Sequence, residues 1–142
     1  MIKIVIGDKD DEQVVRNMHP QHPSLMSGNG FLFCAKHEDC IIGFAWAFMR
    51  DIPAPIGKVK ELFINLIAVN EGFRGQGIGS KIIQKCLEKA KEMRCFQVRA
   101  YCDIHNKSSH ILWYKNKFGI SPVKYEDGTI CGSFVTYVLE TE

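Results

Sequence analysis

No stretch of this chain approaches the ~18 consecutive apolar residues of a membrane span, so none is expected. The amino-terminal run Ile2-Lys3-Ile4-Val5-Ile6 is too short for the apolar part of a secretory signal, and Asp8, Asp10 and Asp11 follow it. Neither sign of charge dominates: 18 Lys and Arg against 16 Asp and Glu leave a net charge of +2. That balance gives no electrostatic footprint for nucleic acid. The six cysteines (34, 40, 86, 95, 102 and 131) form no C-x-x-C and have no regular spacing. They read as reduced, mostly buried thiols of a cytoplasmic protein rather than a disulfide framework. Internal repeats, low-complexity tracts and linkers are missing too. What remains is one domain over residues 1–142, with 46% hydrophobic residues and so material for a real core.

Alternation of Ile2, Ile4 and Ile6 predicts a first strand over 2–6. Asp10 and Asp11 can cap a short helix carrying Val14, Val15 and Met18, which stops at His19-Pro20. Residues 19–30 read as a loop. The apolar runs 31–37 and 41–50, joined by Glu38-Asp39-Cys40, predict a hairpin, and 51–58 a second loop. The nearly continuous apolar run 61–69 predicts a central strand covered on both faces. Ile78, Ile82, Ile83, Cys86, Leu87, Ala90 and Met93 recur at helical spacing and predict a helix over 77–93. A strand at 95–102, a helix from about 107 to 117 capped by Asn106 and ended by Gly119, and a last strand near 130–139 complete the chain. Strands and helices intermix, so the class is α/β or α+β around one mixed sheet.

The feature that carries chemistry is Gly72-Phe73-Arg74-Gly75-Gln76-Gly77-Ile78-Gly79, set between a buried strand and an amphipathic helix. A helix start presents unpaired N–H groups and the positive end of its dipole. Glycines let the backbone take positive φ and approach a phosphate closely, which makes an anion cradle. Arg74 adds a charge at its entrance. A dinucleotide fingerprint would need G-x-G-x-x-G at the first strand–helix turn, and a nucleotide P-loop G-x-x-x-x-G-K-[ST]; neither spacing is present. The pattern R-x-x-G-x-G after a strand is met by Arg74, Gly77 and Gly79.

With Leu66-Ile67-Ala68-Val69 before this turn, and Asn106, Trp113-Tyr114 and Phe118-Gly119-Ile120 after it, the chain resembles the GCN5-related N-acetyltransferase (GNAT) family over roughly 2–139. The resemblance implies the acyl-CoA N-acyltransferase fold, a mostly antiparallel mixed sheet flanked by helices. It implies acetyl-CoA as co-substrate, with no metal, and a primary amine of a small molecule, amino acid or peptide as acceptor. A homodimer is a further expectation. By the same resemblance the backbone of Ile67, Ala68 and Val69 pairs with the pantetheine arm. The N–H groups of Arg74, Gly75, Gln76, Gly77, Ile78, Gly79 and Ser80 hold the pyrophosphate. Asn106 binds pantetheine or orients the helix that follows, and Ser109 faces the cofactor.

The implied chemistry is direct attack of a neutral amine on the thioester, which needs a base for the amine's proton and an acid for the departing sulfur. A backbone N–H near Ala68 would meet the oxyanion. Tyr114 is the candidate acid, although Lys115 occupies the slot four residues before Gly119 where the family carries its tyrosine. Glu61, the strand's one carboxylate, is the candidate base. The alternative function is a catalytically silent module that senses acetyl-CoA. His19 and His22 have H-x-x-H spacing but lie among prolines without a third ligand, so a loop is expected there rather than a metal site.

Overall fold

The computed structural model describes residues 1–20, 26 and 29–139. The chain begins with β1 (Ile2–Ile6) and α1 (Lys9–Met18), then β2 (Gly30–His37), β3 (Cys40–Asp51) and β4 (Lys60–Val69). A single 3-10 turn at Glu71–Phe73 leads into α2 (Ile78–Glu92), followed by β5 (Gln97–Asp103), α3 (Lys107–Lys115), β6 (Gly119–Lys124) and β7 (Ile130–Val138). The seven strands form one sheet in the order β1-β2-β3-β4-β5-β7-β6, antiparallel throughout except for the parallel pair β4–β5. This is the mixed sheet flanked by helices that the residue patterns called for.

Three local differences have physical reasons. The cap of α1 is Asp8: its side chain accepts from the Asp11 N–H while the Asp11 carboxylate accepts from the Asp8 N–H, a reciprocal capping box. The hairpin turn holds two residues, Glu38 (φ 49) and Asp39 (φ 67), both left-handed as a two-residue turn requires, and Cys40 already pairs with His37. Gly119 does more than end a helix, because it opens β6, which the Ser121-Pro122 pair hides from period counting. β6 pairs only with β7, so it is an edge strand, where a residue without an N–H is tolerated.

Period-2 alternation sorts the strands into two faces. One face carries Phe33, Ala45, Leu62, Ile64, Val98, Ala100 and Val135 and packs on α2 (through Ile82, Ile83, Cys86 and Ala90) and on Trp113 of α3. The other carries Leu32, Cys34, Phe44 and Trp46 and is covered by Val15 of α1 and by Met26. Cys34, Cys86, Cys95 and Cys102 are buried, and burial pushes the Cys34 thiol up to about 12. No helix among the described residues is long and apolar enough to cross a membrane.

Asp11 also holds α1 to the sheet, its carboxylate 2.8 Å from Lys36 Nζ on β2. The Lys36 hydrogen bond keeps the Asp11 carboxyl below the usual carboxylate range. A carboxyl depressed on folding contributes stability above its unfolded value of ~3.9 and loses it as pH falls through the folded one. Asp11→Asn is expected to cost about 1 kcal/mol at pH 7, or about 4 °C in Tm. The difference from the parent closes as pH falls below ~4, measured by thermal melts across pH.

Candidate active site

The site is made where β4 leaves β5. The two strands pair from Glu61–Gln97 to Ile64–Ala100 and no further. At that point β4 carries a bulge: Leu66 pairs with Trp46 and Ile64 with Ala47, so Asn65 is the extra residue. A bulge bends its strand and sharpens the local twist. Beyond it, Leu66 to Val69 stay on β3 but have no partner strand on the β5 side among the described residues. A strand edge with free N–H and C=O groups accepts an extended ligand as it would another strand.

That free edge runs into the glycine turn. Arg74 Nε donates to the Val69 carbonyl at 3.0 Å, closing the end of β4 onto the turn. Gly75 (φ 81) and Gly77 (φ 75) are both left-handed, and apart from the glycine and its chain neighbours no heavy atom of the described residues lies within 4 Å of where a Cβ would stand on either. The φ values explain why glycine is needed, and the empty space leaves room for a ligand against the backbone. Gly77 is the N-cap of α2 and offers no side-chain cap, so the first N–H groups of the helix remain available to an anion. Gly79 serves packing: its own Cβ would stand 3.0 Å from Leu112 of α3.

Together these segments and α3 enclose a cleft of ≈ 660 Å³. Of the residues named from the sequence, Ile67, Ala68, Val69, Arg74, Gly75, Gly77, Ile78, Gly79, Ser80, Asn106 and Ser109 line it; Gln76 is on the turn but off the wall. Asn106 is the N-cap of α3, its Oδ1 accepting from the Ser109 N–H at 3.1 Å. It therefore sets the entry of α3 into the cleft wall.

Tyr114 and Glu61 are placed elsewhere. Tyr114 is 71% exposed and is not on the cleft wall, whereas its neighbour Lys115 is. Leu112 and Lys115, three residues apart, share the face of α3 turned to the cleft, and Tyr114 lies ~100° round the helix from Lys115 on the exposed side. Glu61 is 2% exposed. One of its oxygens takes a short hydrogen bond and ion pair from Arg50 Nε, and the other accepts from Gln97 Nε2 at 2.6 Å. It is a buried, paired carboxylate that ties β3, β4 and β5 together just below their parting.

Two polar networks around the cleft escaped the sequence reading. Asn116, 8% exposed, donates to Ser80 Oγ at 3.0 Å and to the Leu112 carbonyl at 2.9 Å, and accepts from Gln84 Nε2 at 3.1 Å. It thereby locks α3 to the first turns of α2. His110 is half-buried. Its Nε2 lies 3.1 Å from Ser133 Oγ of β7 and its Nδ1 3.1 Å from Cys102 Sγ of β5. Nothing in the sequence separates these from ordinary helix residues, because their side-chain partners are 8 to 36 positions away. Of the H-x-x-H pair, His22 lies outside the described residues and the His19 ring packs tilted against Phe44, centroids 5.2 Å apart. No group of three metal-ligating side chains occurs among the described residues.

Comparison with known proteins agrees with this geometry. The acetyltransferase (GNAT) family model matches residues 5–120. An uncharacterized N-acetyltransferase of Bacillus subtilis, YdgE, is 24% identical over 113 residues, covering 80% of this chain and 69% of that protein. The thialysine N-epsilon-acetyltransferase of Bos taurus is 30% identical over 95 residues, 67% of this chain but only 53% of the relative. Among solved structures, Arabidopsis thaliana NAA60 in complex with acetyl-CoA superposes with a TM-score of 0.76 at 14% identity, over 98% of this chain and 100% of that one. At that identity the superposition speaks for the fold, and the family model speaks for the lineage: the chain belongs to the acetyltransferase (GNAT) family.

Proposed function

We propose that the protein transfers the acetyl group of acetyl-CoA to the primary amine of a small molecule, amino acid or peptide. One observation carries this reading: a free strand edge at Leu66–Val69 leads, through the turn at Glu71–Phe73, to a helix start whose glycines stand open. A long ligand with an amide-rich arm and a pyrophosphate matches that sequence of surfaces. In the reaction, the amine nitrogen forms a bond to the acetyl carbon as the carbon–sulfur bond breaks. The proton lost by nitrogen ends on the thiolate, giving an N-acetyl amide and free CoA. The name of the bovine relative, which places its acceptor amine on an amino-acid side chain, supports a small amine-bearing acceptor here.

The reading is tested by thiol release from acetyl-CoA across a panel of primary amines, run on a Cys40→Ser background because Cys40 is an exposed thiol. Amine-dependent release is expected. Tight acetyl-CoA binding with no release from any amine would favour the silent sensor instead. For the proton that reaches sulfur, the resemblance nominates Tyr114, while Lys115 holds the wall position. Tyr114→Phe is expected to keep kcat within about threefold, far from the 10²-fold or greater loss of a general acid. Lys115→Met is expected to lower kcat/KM by about tenfold, the value of one charge-assisted contact. Steady-state kinetics of the two variants separate these roles.

A further inference from the structure

Behind the cleft, on the sheet face opposite α2 and α3, β3, β4, β5 and β7 carry an aromatic floor. Phe48 and Phe63 pack at 5.6 Å, and Tyr101 and Phe134 meet edge to face at 5.4 Å. Two guanidinium groups lie on these rings: Arg50 over Phe63 at 3.9 Å and Arg99 over Phe134 at 3.8 Å. Stacking of this kind fixes an arginine without using its fork of N–H donors. The two arginines differ in one respect. Arg50 is neutralised by Glu61, whereas Arg99 has no carboxylate partner among the described residues.

Arg99 pairs in register with Phe63. Val98, Ala100 and Cys102 point to the α2 side, so Arg99 and Tyr101 point to the other. The cleft is lined from the α2 and α3 side, so an acceptor reaches the gap beyond Ile64 from the face that Arg99 occupies. From the level of Phe63 to that of Ala68 is four partner steps along β3, Phe48 to Phe44. That is about 13 Å at ~3.3 Å per residue. The Arg99 guanidinium lies over Phe134, whose register partner is Tyr101, two residues nearer that end, so about 7 Å of this span remains along the strand. A fixed guanidinium with no carboxylate partner among the described residues, above an apolar floor, suits there a carboxylate joined to the amine by several methylenes.

We propose that Arg99 is a specificity-determining residue that receives the carboxylate of the acceptor, so the acceptor is an ω-amino acid of lysine-like length rather than a diamine. The inference rests on the acetyl transfer proposed above. A bidentate arginine–carboxylate contact that is partly shielded from water discriminates by about tenfold or more.

The test compares carboxylated and decarboxylated partners, lysine with cadaverine and ornithine with putrescine, by CoA release. The parent protein is expected to favour the carboxylated member by about tenfold in kcat/KM. Arg99→Gln should bring each pair to parity by raising KM for the amino acid, with kcat, diamine rates and acetyl-CoA affinity unchanged. Arg99→Lys should restore part of the preference. Phe134→Leu, which removes the supporting ring and leaves the charge, should weaken the preference without abolishing it. Equal rates for the two members of each pair in the parent protein, or a preference that Arg99→Gln leaves intact, overturns the inference while acetyl transfer stands. If no amine releases CoA, the functional reading fails, and this inference with it.

Discussion

Gly77→Val is expected to raise the Kd for acetyl-CoA at least about 100-fold, the largest effect of any single change at the cleft, since two charge-assisted N–H contacts are worth ~3 kcal/mol or more together. Gly77 sits at φ 75 with nothing within 4 Å of its Cβ position. The protein itself has room for the side chain, so the cost comes from backbone conformation and from the ligand. A β-branched residue at positive φ is strained by ~1–2 kcal/mol and rotates the turn to escape. Rotation turns the first N–H groups of α2 away from the anion, and the new methyl groups fill the space the phosphate would take. Calorimetry should show the affinity collapse while Tm without ligand falls by only about 4–8 °C. Gly79→Val should show the reverse balance, because its Cβ would meet Leu112 at 3.0 Å and part α3 from α2. A Gly77→Val protein that binds acetyl-CoA like the parent would remove the cradle from the functional reading.

Arg50→Ala should be the most destabilising change among the charged residues. It leaves the Glu61 carboxylate, 2% exposed, with the Gln97 hydrogen bond and no countercharge among the described residues. Breaking one side of a buried pair costs about 3–5 kcal/mol, or about 10–15 °C in Tm for a domain of this size. Glu61→Gln is milder, because the Arg50 side chain is 38% exposed and can turn to water. It should cost about 1–2 kcal/mol, the loss of one charge-assisted hydrogen bond. The same variant tests Glu61 as base. A role confined to bracing predicts that kcat of Glu61→Gln keeps the parent's pH profile. A base predicts a loss of about 10² or more on a flat profile.

How much of this was legible in the sequence depended on the range of the interactions. The helix at 78–92 and the turn before it were readable because helical period and glycine conformation are local properties. The same holds for β1, where Ile2, Ile4 and Ile6 alternate. β6 was not readable, because Pro122 reads as a breaker unless the strand is known to lie at an edge. The bulge at Asn65 left no mark either: in a run as apolar as 61–69, a one-residue slip changes nothing in composition, yet it decides where β4 parts from β5. Tyr114 illustrates the limit of spacing arguments. Counting back from Gly119 leaves its register on α3 open by one residue, and one residue turns a helical side chain by ~100°. Arg99 and Phe134 are 35 positions apart and meet only because β5 pairs with β7.

The parting of β4 from β5 also bears on the order of events. A sheet that opens between two strands is a wall with a slot, and on the present reading the donor occupies one side while the acceptor approaches from the other. Neither needs the other's doorway, so both can be resident at once and either product can leave first. That predicts intersecting rather than parallel lines in double-reciprocal plots. It also predicts that free CoA competes with acetyl-CoA for its site while lowering Vmax, not raising KM, for the amine.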